Sequence, residues 1–131
     1  MIRIAVCDDE NVIVNQIEHI ISEVCKRESI PVNIDVFYSG RELKRQVTSG
    51  TKYDIIFLDI QMKGGDGITA AENIRKVDDN VLLIYVSGYD KYMMELFRLD
   101  VFGFIKKPID EEILTKTFLE TYQSCLLYTS P

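Results

Sequence analysis

The chain predicts an α/β fold built on a parallel sheet, and three observations carry that prediction. Apolar runs of strand length alternate with amphipathic stretches of helical spacing, the pattern of repeated strand–helix units with right-handed crossovers. The run over 54–58 is continuously apolar after its first residue, as expected of a strand buried on both faces. Three of the runs end in charge. Met1-Ile2-Arg3-Ile4-Ala5-Val6-Cys7 leads into Asp8-Asp9-Glu10, Tyr53-Asp54-Ile55-Ile56-Phe57-Leu58 into Asp59, and Val101-Phe102-Gly103-Phe104-Ile105 into Lys106-Lys107-Pro108. Open α/β sheets bind ligands beyond the carboxyl ends of their strands. Parallel pairing of these three runs would therefore bring three carboxylates and a lysine to one edge, a cluster suited to a metal or to chemistry.

Each element has its own signal. After the first strand, residues 11–28 carry Val12, Val14, Ile17, Ile20, Ile21 and Val24 at helical spacing, with Asp8 or Asp9 available to cap the start and Ser29 and Pro31 to mark the stop. Residues 32–37 alternate as a strand, with Val32, Ile34 and Val36 on one face and Asn33 and Asp35 on the other. Ser39 with Glu42 forms a capping-box pattern for a short helix through Val47, ended by Ser49-Gly50. The third strand ends at Leu58, and a helix over 67–77 turns Ile68, Ala71 and Ile74 inward. A fourth strand is predicted over 81–86, a fourth helix over 90–99, a fifth strand over 102–105 and a final amphipathic helix from Asp110 to about Leu126. Met93, Met94, Leu96 and Phe97 read as at least partly core.

The totals limit the function. With 131 residues the chain fits one domain with an ordinary core, and 47% hydrophobic with 27% charged residues is globular composition. A net charge of −6 lacks the basic footprint of a nucleic-acid binder, so direct DNA or RNA contact is not expected. No stretch approaches the roughly 20 apolar residues that span a bilayer. The strand pattern starts at once, without the look of a signal peptide, so a cytoplasmic location is expected. Cys7, Cys25 and Cys125 match no zinc spacing and read as reduced, small apolar residues. His19, the single histidine, falls on the polar face of the first helix and reads as exposed.

The ordered set Asp8-Asp9-Glu10, Asp59-Ile60-Gln61-Met62 with Gly64 and Asp66-Gly67, Ser87-Gly88 and Lys107-Pro108 resembles the receiver domains of bacterial two-component response regulators. The likeness spans roughly residues 2–124. The segment from Ser87 through Phe97, with Phe104 to Pro108, looks most like receivers of LytTR-type regulators. The resemblance implies a flavodoxin-like (βα)5 three-layer sandwich whose five parallel strands run in the order 2-1-3-4-5. It implies a receiver domain over 1–124, with 125–131 as a tail: a last helical turn, the start of a linker, or a remnant of expression.

The resemblance also assigns roles. Asp59 is the expected phosphoacceptor, taking a phosphoryl group from a phosphohistidine on a sensor histidine kinase, and neutralisation must precede the meeting of two anions. Mg²⁺, or Mn²⁺ in its place, is expected on Asp9 and Asp59 directly, on Asp8 through water, and on the backbone carbonyl of Gln61. Lys107, which directly precedes proline, is expected to pair with Asp59 and then with a phosphoryl oxygen, while Lys106 points to solvent. Ser87 would donate its hydroxyl to another phosphoryl oxygen, and Phe104 would turn inward as Ser87 moves, making the two a switch. Gly88 leaves the phosphoryl group room, and Gly88 and Tyr89 control access to it. The expected partners are the kinase, a C-terminal DNA-binding output domain not contained in these residues, and a second copy docked through the fourth helix, fifth strand and final helix.

Two departures from the family pattern stand out: Lys63 replaces a frequent proline, and Asp100 a frequent glycine. Competing readings share the architecture. A pseudo-receiver would fold without being phosphorylated. A flavodoxin-like cofactor binder would need a phosphate loop after the first strand, where Asp8-Asp9-Glu10 repels phosphate. A phosphatase of the haloacid dehalogenase type needs a second carboxylate two residues after its nucleophile, and Gln61 stands there.

Overall fold

The computed structural model describes residues 1–62, 67–88 and 101–129. Five strands and four helices lie in this part: β1 (Ile2–Cys7), α1 (Asn11–Arg27), β2 (Val32–Phe37), α2 (Gly40–Thr48), β3 (Ile55–Asp59), α3 (Gly67–Val77), β4 (Leu82–Ser87), β5 (Gly103–Lys106) and α4 (Glu111–Thr129). The helix expected over 90–99, with Met93, Met94, Leu96 and Phe97, lies outside the described residues. So do Lys63, Gly64, Asp66, Tyr89 and Asp100.

All strand pairs are parallel and the order is β2-β1-β3-β4-β5. Alternation along each strand divides the core into two layers. Ile4, Val6, Ile55, Phe57, Ile84, Val86 and Ile105 meet Val14, Ile17, Ile21 and Val24 of α1 and Leu114 and Phe118 of α4. Ala5, Cys7, Ile56, Leu58, Leu83 and Tyr85 face the other way, against Leu43 and Val47 of α2 and Ile68, Ala71 and Ile74 of α3. β3 and β4 are thus apolar up to their last residue, because each face has its own helical layer. β2 and β5 are the edge strands; β2 is only half-buried and alternates with polar residues, and β5 ends in the exposed Lys106.

Local chemistry sets the helix ends. Ser39 Oγ accepts the Glu42 N–H at 3.2 Å, and Glu42 Oε2 accepts the N–H of Tyr38 at 3.4 Å, one residue before the position a capping box would use. Asp110 Oδ1 accepts the N–H groups of Glu112 and Ile113 and starts α4. Neither Asp8 nor Asp9 caps α1. Its N-cap is Glu10, whose side chain makes no cap hydrogen bond, and Asp8 Oδ1 instead accepts the Glu10 N–H at 2.9 Å. At the other end Ser29 adopts φ +56° while the Ile30 N–H reaches back to the Cys25 carbonyl at 2.8 Å, a Schellman-type close without glycine. α4 continues beyond 124: Cys125 is buried and its thiol lies 3.9 Å from the Asp54 carbonyl.

Candidate functional site

Strand register builds the site. Cys7 is level with Leu58, Asp59 with Val86, and Ser87 with Lys106, so Asp8, Asp59, Ser87 and Lys107 all emerge at the carboxyl edge of the sheet. Asp8 and Asp59 are adjacent because β1 and β3 are neighbours, although 51 positions separate them in sequence order. Lys107 is held by its own backbone, whose N–H donates to the Ser87 carbonyl at 3.0 Å; the Lys107–Pro108 peptide is cis.

Asp8, Asp9 and Asp59 each bring a carboxylate oxygen to within 4.8 Å of the others. Asp8 is 1% exposed and Asp59 4%, while Asp9 is half-buried. Asp59 Oδ1 accepts the Gln61 N–H at 3.2 Å. Among the described residues Asp8 Oδ2 is buried without a well-angled hydrogen bond; its neighbour is the Lys107 ammonium at 2.9 Å. Lys107 Nζ also lies 3.3 Å from Glu10 Oε2 and 3.6 Å from Asp59 Oδ2. Three hard carboxylate donors with an oxygen lacking such a bond fit a divalent cation that prefers oxygen ligands.

Burial raises Asp59 to about 7, and the negative Asp8 beside it adds to the rise, while Lys107 and the Gln61 N–H pull it back. Asp8 is also raised, chiefly by burial and against the pull of Lys107. Burial alone would lower Lys107, but its contacts with Asp8 and Asp59 outweigh this and leave it raised. A second positive charge at the acidic cluster would therefore convert Asp59 fully to carboxylate. Beneath the site the Cys7 thiol, 3.3 Å from the Ser39 carbonyl and 3.7 Å from Met62 Sδ, is pushed far up by burial and the surrounding acids. It is a packing residue, not a nucleophile.

Several sequence-stated positions come together here and others do not. Asp8, Asp9, Asp59 and Lys107 form one cluster, with Lys107 closer to Asp8 than to the expected Asp59. Ser87 is buried at the end of β4, on the same sheet face as Tyr85, Phe104 and Lys106 by register and alternation. Phe104 is half-buried against the α2/α3 layer, and Lys106 is exposed, as is His19. Gly88 is exposed, and a Cβ there would come no closer than 3.9 Å to Lys107 Cβ, so packing by itself does not demand glycine.

Two residues gain a role only in three dimensions. Glu10, quoted in the acidic run without a task of its own, is the third anion on Lys107. Gly67, quoted in the loop after Asp59, starts α3 so close to β3 that a Cβ would overlap the Asp59 carbonyl, while its N–H donates to the Ile60 carbonyl at 2.9 Å. The signal for Glu10 was its place two residues beyond Asp8; for Gly67 the sequence held a glycine but not what it would press against.

The response regulator receiver domain family model matches residues 4–119. The chain is 28% identical over 117 residues to the sensory transduction protein LytT of Bacillus anthracis, covering 89% of this chain and 46% of that protein. It thus spans under half the length of this curated relative. The REC domain of AraT, a response regulator from Geobacillus stearothermophilus, superposes with a TM-score of 0.82 at 25% identity, covering 98% of both chains. The response regulatory domain of mrkE from Klebsiella pneumoniae shares the fold with a TM-score of 0.85 at 20% identity, covering 96% of this chain and 99% of that one. Strand order, the acidic edge and the family match agree: this chain belongs to the response regulator receiver domains of two-component systems.

Proposed function

We propose that Asp59 is the phosphoacceptor of this receiver and that its phosphorylation is the signal the domain transmits. The observation that carries this reading is the buried carboxylate of Asp59, 3.6 Å from Lys107 and clustered with Asp8 and Asp9. In the transfer, an Asp59 oxygen attacks the phosphorus of a phosphohistidine on a sensor kinase. The P–N bond breaks, its electrons return to the imidazole, and an acyl phosphate forms on Asp59. Asp8, Asp9 and Asp59 would hold Mg²⁺, or Mn²⁺, with the Gln61 carbonyl as a further ligand. When bound, the cation screens the negative charge of carboxylate and phosphoryl oxygens as they approach. Lys107 adds a positive charge on the same side, and the Ser87 hydroxyl a donor from the neighbouring strand. The domain promotes its own phosphotransfer and slow loss of the group, and is otherwise a signalling module rather than an enzyme of metabolism. Access to the phosphoryl group belongs to Gly88 and Tyr89.

Ser87 and Phe104 share one face of adjacent strands, which supports a coupled movement of the two on phosphorylation. The readout is a cytoplasmic DNA-binding output domain, with a homodimer through the 90–99 segment, β5 and α4 as the active assembly. Incubation with acetyl phosphate and Mg²⁺ tests the reading by intact mass. One phosphoryl group should appear on the unsubstituted chain and none on Asp59→Asn; no adduct on the unsubstituted chain overturns the proposal. Phe104→Ala should still accept the group but lose the phosphorylation-dependent dimer.

A further inference from the structure

Lys107 has more anions than the phosphoacceptor chemistry requires. Its ammonium lies 2.9 Å from Asp8 Oδ2, 3.3 Å from Glu10 Oε2 and 3.6 Å from Asp59 Oδ2. Asp8 and Asp59 belong to the acidic cluster that suits a divalent cation; Glu10 does not. A cation entering that cluster claims Asp8 and Asp59 and repels the ammonium, so Lys107 must give up two of its three partners at once. Leaving a half-buried ammonium without an anion is costly, and the cost would be charged against cation binding.

Glu10 is built to absorb it. Its side chain is 62% exposed where that of Asp8 is 1%, so it is free to swing while Asp8 is locked in place. It sits at the N-cap of α1 without serving as a cap, so the helix does not hold its carboxylate. We propose that Glu10 is a positioning residue: it receives Lys107 when a divalent cation occupies Asp8, Asp9 and Asp59, and so lowers the competition between lysine and cation. This rests on the cation reading above and adds to it a residue that touches neither cation nor phosphoryl group. Without the Glu10 carboxylate, the ammonium remains on Asp8 and Asp59 and the cation must evict it unaided.

A double-mutant cycle on Mg²⁺ affinity tests this, with calorimetric titration of the 131-residue chain at physiological ionic strength. Glu10→Gln should weaken Mg²⁺ binding about two- to fivefold, the range that an exposed ion pair commands. In a Lys107→Met background the same substitution should change affinity by less than about 1.5-fold, since a lone exposed charge is screened. Lys107→Gln provides a second background if Lys107→Met does not fold. Equal weakening in both backgrounds would mean that Glu10 acts only as a distant charge, and would overturn the proposal. No effect in either background overturns it as well. An unsubstituted chain that binds no Mg²⁺ overturns the cation reading itself, an outcome distinct from either.

Discussion

Asp59 is a charge kept in the wrong environment, and its titration should report that. Its carboxyl is raised to about 7 by burial and by Asp8, whereas in the unfolded chain it titrates near the ordinary value of 3.8. The folded state therefore binds the proton more tightly. Its stabilising contribution is full below about pH 4 and is lost as pH rises through 7. Asn resembles the protonated acid, so in metal-free buffer Asp59→Asn should be more stable than the unsubstituted chain at pH 8, by on the order of 3 kcal/mol. The two proteins should converge near pH 4; urea denaturation across this range checks both the sign and the window. Gly67 makes a different residue-scale prediction. A methyl group there overlaps the Asp59 carbonyl, so Gly67→Ala should cost about 1–3 kcal/mol and displace the acid at the same time. Thermal melts read the first effect and Mg²⁺ affinity the second.

Helix ends follow local chemistry where no other contact competes for the side chain. Ser39 with Glu42 announced α2, and the Ser39 hydroxyl does take the Glu42 N–H. Ser39→Ala should cost about 1 kcal/mol in chemical denaturation. Ser29 holds a left-handed backbone at φ +56°, which costs a side-chain-bearing residue about 1 kcal/mol, so Ser29→Gly should recover a similar amount. A fall in stability for Ser29→Gly would show that its side chain matters more than its backbone. The cap expected from Asp8 or Asp9 is absent: the N-cap falls on Glu10, and both carboxylates lie beside Asp59 at the sheet edge. Asp8 still meets the start of α1, through the Glu10 N–H, but as part of a turn. An acid following a strand and preceding a helix has two possible employers, and only its distance from Asp59 decides between them.

On the scale of the whole molecule, the two helical layers enclose the sheet so fully that all three thiols are buried. Burial raises Cys25 and Cys125 to about 11 and Cys7 beyond that, so none is an available thiolate near neutrality. A thiol reagent at pH 7.5 should label the folded chain only as fast as it opens, and the urea-unfolded chain at once. Rapid labelling of one thiol in the folded chain would locate a region that opens separately; Cys125 on α4 is the place to look. The same enclosure sets the electrostatics of the acidic cluster. A carboxylate on an open surface would have an ordinary pKa and little need for Lys107.

Alternating strands and helices, the doubly buried character of β3 and β4, and the charged ends of β1, β3 and β5 are all written in the order of residues. Each is a local property: hydrophobic period, run length, and the residue that follows a run. Asp59 and Lys107 were legible for that reason, with the family likeness choosing Lys107 over Lys106. Who meets whom is a matter of packing. Register put Asp8 rather than Asp59 closest to Lys107, brought in Glu10 as a third anion, and pressed Gly67 against the Asp59 backbone. These are distances between groups on different elements, set by strand pairing and helix packing. No period or composition in the chain encodes a length of that kind; the packed sheet does.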